Sequence, residues 1–423
     1  MAGGSWWAYY DLGWGGFWFW DPVENASLMP WLVGTALLHS ALATERTGAF
    51  RVWTLLLSIM AFSLSLIGTF LVRSGVVTSV HAFASDPARG VFILLILCLA
   101  IGGALALFAW RAPKLASGSA FQPVSRETTL LINNVLLMTA LAVVFHRHDL
   151  SDRAGCDGHA HLGRRALLRV IFCAAVSSPD DRTAVRSALE LAAGRSQRGV
   201  AHPVSRNRRR GGRGDCRSGA RLAAYCRGSG SFAVATWVIG ASMIDGVRIL
   251  RGRAISAAAF ASALAHAGLG VTLIGIAGTT LWRSEALEVL RPGETMHIAG
   301  YALTFDGVSV ANGPNYQALR ATLEVSSDGK ALGAMTPERR MFPAEGQETV
   351  QTAIRTTGFS DLYLALGDDR GHGRWTIRAY VNPLAPFIWL GAGLMALGGF
   401  ASLWGRVRAM FFARETAPVA ETA

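Results

Sequence analysis

WGGFWFWDPVENASLMPW, residues 14–31, sets four tryptophans (Trp14, Trp18, Trp20 and Trp31), an acidic pair and two prolines where a first membrane span would begin. Gly15 and Gly16 let a backbone approach a flat ligand closely, while Trp14, Trp18 and Trp20 offer wide faces for stacking. Asp21-Pro22 ends the segment sharply, and Asn25 is expected to open the first span. These residues alone support two readings. One is an interfacial aromatic belt, because Trp favours the headgroup region. The other is a platform for a planar apolar ligand with polar edges.

Outward from this stretch the chain reads as a polytopic membrane protein. Half of its 423 residues are apolar, only 16% are charged, and mean hydropathy is +0.33. About 20 apolar residues cross a bilayer, which places spans near 26–43, 52–72, 90–110, 128–145, 232–249, 254–282 and 384–404. Arginine and lysine in short loops set orientation. Arg46 and Arg51, then Arg111, Lys114 and Arg126, then Arg248, Arg251 and Arg253, and finally Arg406, Arg408 and Arg414 mark four cytoplasmic segments. The head 1–25, the 73–89 loop and the region 283–383 are therefore expected on the opposite, periplasmic side of a bacterial inner membrane. No signal peptide stands at Met1, and the chain opens just before an outer-face motif, so earlier spans are expected to precede it.

Residues 146–231 have a different character. They hold 17 Arg and no Lys, no Trp, four of the five Cys (Cys156, Cys173, Cys216, Cys226) and five of the ten His (His146, His148, His159, His161, His202). With seven acids against those arginines, the stretch contributes +10 of the net +12, so the basic balance does not point to nucleic acid. Only Phe172 and Tyr225 stand among the arginines, too few for the interleaving expected of an RNA-binding arm, and HRH and CDGHAH fit no usual zinc spacing. A third reading is sequence out of frame. Leu150 to Val170 can be back-translated with permitted codons so that reading one nucleotide later gives YPIALDAMGTLISVGAPYFV, which is apolar and turn-rich like the rest of the chain. A frameshift near 146, corrected near 230, is expected to have displaced two spans, because an even number preserves the sidedness of the later spans. As written, the segment is expected to be disordered or misfolded.

From 284 to 380 the pattern changes again. YALTFDGVSV, ALRATLEVSS and RWTIRAYV alternate apolar and polar residues between Gly, Asn and Asp punctuation, as half-buried strands do. The fold class expected is therefore mainly α: a membrane helix bundle carrying a small periplasmic β domain, with 405–423 as a cytoplasmic tail.

His39 and His266 lie within spans, where an ionisable side chain is costly and usually functional. Each could bond across to another helix, or the two could be axial ligands of one haem. His81 sits in the outer-face loop SVHAFASDPARG between Arg73 and Arg89, which suit either propionate binding or anchoring at span ends. His297 and His372 fall in the β domain and are expected to be solvated, and Cys98 is a small apolar residue of span three. No CxxC or CxxCH occurs, which excludes a c-type cytochrome and a thiol oxidoreductase.

WGGFWFWDPVENASLMPW resembles the tryptophan-rich "WWD" haem-handling signature and, in detail, the CcmF family, the haem lyase subunit of bacterial cytochrome c maturation. ALLHS, TLLLSIMAFSLSLIGTFLVRSGVVTSVHAFASDPARG and AHAGLG continue the likeness, which covers 1–145 and 232–410. The family form usually has Trp where this chain has Phe17, and the displaced reading of 150–170 is also similar to the family. The resemblance implies a haem b held in the membrane by His39 and His266. It implies a substrate haem stacked on Trp14, Gly15, Trp18, Trp20, Asp21 and Pro22, with His81 as an axial ligand and Arg73 beside it. A second histidine for that haem would come from an earlier part of the family's chain. Implied partners are the periplasmic haem chaperone CcmE, a CcmH-type thiol subunit and apocytochrome c, whose CxxCH thiols would form thioethers with the haem vinyl groups. A haem exporter, or an inactive remnant of the lyase, are the rival readings.

Overall fold

The computed structural model describes residues 1–74, 86–115, 125–153, 235–236, 238–240, 242, 257–344 and 346–415. His81, the anomalous segment beyond 153 and most of the 232–249 span lie outside the described residues. The chain divides into two compact units. One begins at Trp18 and holds the first membrane helices; the other joins Ala2–Phe17 to the carboxyl-terminal half.

In the first unit, helices α2 (Pro22–Thr47), α3 (Arg51–Ser74), α4 (Pro87–Leu115) and α5 (Arg126–Arg153) follow one another. Asp21 caps α2: its carboxylate accepts the Val23 N–H at 3.2 Å, and Pro22 takes the first helical position, where the missing N–H costs nothing. The helix thus starts at Pro22, and Asn25, expected to open it, lies inside the first turn. An N-cap acid followed by proline is the stronger start signal. Leu32, Val33 and Ala36 of α2 are fully buried against Leu57 of α3 and Ala140 of α5. Asn134 donates to the Ser40 hydroxyl at 2.7 Å across the α2–α5 seam, a polar contact inside the apolar layer, while its own side-chain oxygen is buried without a partner among the described residues. Residues 146–153 continue α5 without a break, since adding turns to an existing helix is inexpensive.

The second unit contains α1 (Ala2–Asp11), α6 (Ala257–Leu281), a β domain and α7 (Ala385–Glu415). The β domain has ten strands: β1 Ser284–Leu290, β2 Thr295–Ile298, β3 Tyr301–Asn312, β4 Gln317–Ser327, β5 Lys330–Met335, β6 Glu338–Phe342, β7 Gln347–Gln351, β8 Ala353–Thr357, β9 Ser360–Asp369 and β10 Trp375–Pro383. One antiparallel sheet runs β1-β10-β9-β8; the other runs β2-β3-β4-β6-β7 with β5 paired to β4. Leu303, Phe305 and Leu323 from the second sheet meet Leu362, Leu364 and Ile377 from the first, so the alternation read in the sequence buries one face of each sheet in a shared core.

Helices α6 and α7 lie antiparallel in backbone contact. A Cβ added at Gly268 would sit 2.6 Å from the Met395 nitrogen, one at Gly275 2.6 Å from the Ile388 nitrogen, and one at Gly398 2.7 Å from the Ala261 carbonyl oxygen. Small residues repeated every two turns allow this approach, which apolar helices in lipid need because solvent exclusion does not drive them together. Among the described residues six helices are long and apolar enough to cross a membrane: α2 to α7, each over most of its length. The chain is a multi-pass membrane protein with a mainly helical fold and a carboxyl-terminal β-sandwich.

Candidate functional site

The tryptophan-rich stretch divides between the two units. Its first part rides on the outer face of the four-stranded sheet. Gly15 donates its N–H to the Tyr363 hydroxyl at 3.0 Å, and with φ at +76° it leaves no room for a side chain, since a Cβ would stand 2.3 Å from the Tyr380 ring. The flat group that the Gly15 backbone closely approaches is thus Tyr380. Trp14 is half-buried beside it. The preceding helix is moored by a buried polar chain: Asn382 donates to the Tyr9 hydroxyl at 3.0 Å, Tyr9 donates to Asp361 at 3.1 Å, and Thr356 donates to the other Asp361 oxygen at 2.7 Å. Burial pushes the Asp361 carboxyl up from its ordinary value, against the pull of the two hydroxyls. Burial likewise raises the Tyr9, Tyr363 and Tyr380 phenols, so all three stay protonated and can serve as donors.

The second part is framed from inside α2. The Glu24 carboxylate, 7% exposed, accepts the N–H of Phe19 at 2.7 Å and of Asp21 at 3.3 Å. Asn25 donates to the Trp20 carbonyl at 3.1 Å. These bonds hold Trp20 at φ +60°, a strained value for a bulky residue. Trp18 and Trp20 meet edge to face, with centroids 6.2 Å apart and planes at 82°. Of the residues expected to stack, Asp21 and Pro22 act as N-cap and first helical residue. Glu24 and Asn25 were missed, although Asp-Pro-Val-Glu is a capping box legible in the sequence.

His39 is half-buried in α2 and His266 half-buried in α6. Each turns Nδ1 to the carbonyl four residues back: His39 to Thr35 at 2.8 Å, His266 to Ser262 at 2.8 Å. A carbonyl oxygen can only accept, so Nδ1 carries the proton in both rings and the neutral imidazole's lone pair resides on Nε2. That is the tautomer an iron ligand needs, and the backbone bond fixes ring orientation as well. Both histidines therefore fit an axial role toward haem iron. They belong to different units. Among the described residues no three His, Cys, Asp or Glu side chains converge as a metal site. Arg73 closes α3, its carbonyl accepting the Asp86 N–H at 2.8 Å, while Arg89 pairs with Asp86 at 3.1 Å.

Comparison with known proteins agrees with this architecture. Residues 281–383 match the family model "CcmF C-terminal beta-sandwich", and residues 1–78 match "Cytochrome C assembly protein". The chain is 46% identical over 428 residues to the cytochrome c-type biogenesis protein CycK of Bradyrhizobium diazoefficiens, covering 96% of this chain and 64% of that protein. It is 40% identical over 445 residues to the cytochrome c-type biogenesis protein CcmF of Escherichia coli K12, covering 99% of this chain and 65% of that one. A solved structure, "Cytochrome c Heme Lyase CcmF", superposes with a TM-score of 0.68 at 23% identity, over 95% of this chain and 63% of that one. The chain spans somewhat less than two thirds of these relatives. With two family models matched and identity of this level along nearly its whole length, the chain belongs to the CcmF family of cytochrome c-type biogenesis proteins.

Proposed function

We propose that this chain is the carboxyl-terminal part of a haem lyase of the bacterial inner membrane, which holds haem at the periplasmic face while its vinyl groups join the thiols of an apocytochrome CxxCH. The observation that carries this reading is the matched tautomer of His39 and His266, each with Nδ1 bonded to its own helix and Nε2 left as the ligating nitrogen. A membrane haem b bound there would supply redox chemistry to the substrate haem. The chain's own residues orient. Glu24 and Asn25 fix the backbone that carries Trp18 and Trp20, and Tyr363 fixes Gly15 beside Trp14, so that stacking surfaces stand ready before haem arrives. His81 and Arg73 take the axial and propionate roles. The partners are CcmE as haem donor, a CcmH-type thiol subunit and apocytochrome c, met on the side that the positive-inside distribution assigns to the periplasm.

The test is a pyridine haemochrome and an optical spectrum of the detergent-purified chain beside His39→Ala and His266→Ala. Haem b in the parent, lost in both variants and restored by added imidazole, is the expected result. A parent without haem after haem-sufficient expression, or variants that keep a full complement, would overturn the ligand assignment.

A further inference from the structure

The β-sandwich contains three hairpins closed by two-residue loops, and their tips differ in chemistry: between β2 and β3 the tip is Ala299-Gly300, exposed and without a large side chain. Between β4 and β5 the tip is Asp328-Gly329, exposed and polar, as water favours. Between β8 and β9 the tip is Gly358-Phe359. Gly358 supplies the positive φ (+62°) that such a loop requires at its first position, and Phe359, at the second, is 68% exposed. A phenyl ring left 68% exposed at a turn tip is disfavoured in water.

Its location accounts for it. The Phe359 carbonyl accepts the Leu384 N–H at 2.6 Å, and its ring lies 5.3 Å from that of Phe387, in the first turn of α7. The apolar window of α7 begins at Ala385. The hairpin tip is therefore level with the point where the span enters the membrane. Leu390, 55% exposed, continues outward from Phe387 one turn further along the helix. Antiparallel packing brings the last turn of α6 to the same level, since Gly278 abuts Leu384, and Trp282, 52% exposed, follows directly.

We propose that the β8–β9 hairpin is a lipid-interface anchor: Phe359, with Trp282 and Phe387, lies in the headgroup–acyl boundary and holds the sandwich against the bilayer surface. The lipid contact of α7 thus extends onto the β domain, and aromatic side chains at this depth are what the interface selects. The anchor does not depend on the haem reading.

The experiment places p-benzoylphenylalanine at position 359 of the full chain, and at position 328 in a second preparation. Both are reconstituted in vesicles of phosphatidylethanolamine and phosphatidylglycerol, irradiated, digested and weighed. The backbone bond from Leu384 to the Phe359 carbonyl does not depend on the side chain, and the substituted residue keeps the phenyl ring that meets Phe387 and extends it from a largely exposed position. The expected result is a phospholipid mass adduct on the peptide carrying 359 and none on the peptide carrying 328. Adducts at neither position, equal adducts at both, or cross-links from 359 to protein alone would overturn the proposal.

Discussion

The Glu24 carboxylate accepts the Phe19 N–H at 2.7 Å from within the first turn of α2, so the helix reaches back to fix the strand of tryptophans that precedes it. Replacing Glu24 with Ala removes a buried acceptor for two backbone donors. The expected cost is about 1 kcal/mol, because the part-buried Phe19 and Asp21 N–H groups lose a charged acceptor that water replaces only in part. Glu24→Gln keeps one acceptor oxygen and should lose less. Thermal unfolding measures the stability, and haemin quenching of tryptophan emission measures the platform; a Glu24→Ala variant unchanged in both would show that the frame does not depend on this carboxylate.

Asp361 gives the second unit a pH dependence of defined sign. Its carboxyl is raised in the folded protein, so between the ordinary value and the raised one the native state keeps a proton that the unfolded state has released. Stability should therefore be fully present below the ordinary carboxylate value and fall as pH rises through the folded one. Asp361→Asn should abolish that slope while still meeting Tyr9 and Thr356. The measurement is amide exchange of β9 and β10 between about pH 4 and neutrality. Stability that climbs over this interval in the parent, or an unaltered slope in Asp361→Asn, would contradict the assignment.

The α6–α7 contact depends on missing side chains on both helices, among them those of Gly268 and Gly275 on α6 and of Gly391 and Gly398 on α7. Gly268→Leu and Gly391→Leu each force a side chain into the partner's backbone and should cost about 1–3 kcal/mol or more. Gly393→Ala, whose Cβ meets nothing within 4 Å, should leave thermal stability unchanged or raise it slightly. Equal effects at Gly268 and Gly393 would mean that the close approach is not what holds the pair together.

The arginine-rich stretch 146–231 makes its own prediction. Resequencing the gene should find a single-base discrepancy near codon 146 and a compensating one near codon 230. A chain expressed with the frame restored should gain two protease-protected membrane segments. An intact frame, with no insertion or deletion relative to related genes, would mean that the segment is native to this protein.

Much of this molecule is written locally. Runs such as TLLLSIMAFSLSLIGTFLV specify membrane helices because lipid leaves the backbone no partner but itself, and the alternation of YALTFDGVSV specifies a half-buried strand because successive side chains face opposite sides. The WGGFWFWDP stretch likewise carries the resemblance to the CcmF family by its residues alone. Even the capping box that positions Trp18 and Trp20 is a local pattern, and it, rather than Asn25, sets the start of α2.

Contacts distant in sequence were decided by the tertiary structure. That Gly15 meets Tyr363 and Tyr380, that Tyr9 meets Asp361, and that Gly268 meets Met395 depends on which surfaces the folded chain brings together. No periodicity within a segment encodes its partner hundreds of residues away. The assignment of the proton to Nδ1 of His39 and of His266 also follows from geometry, here the geometry of each residue's own helix. The residue type permits either tautomer, and only a carbonyl 2.8 Å away chooses between them.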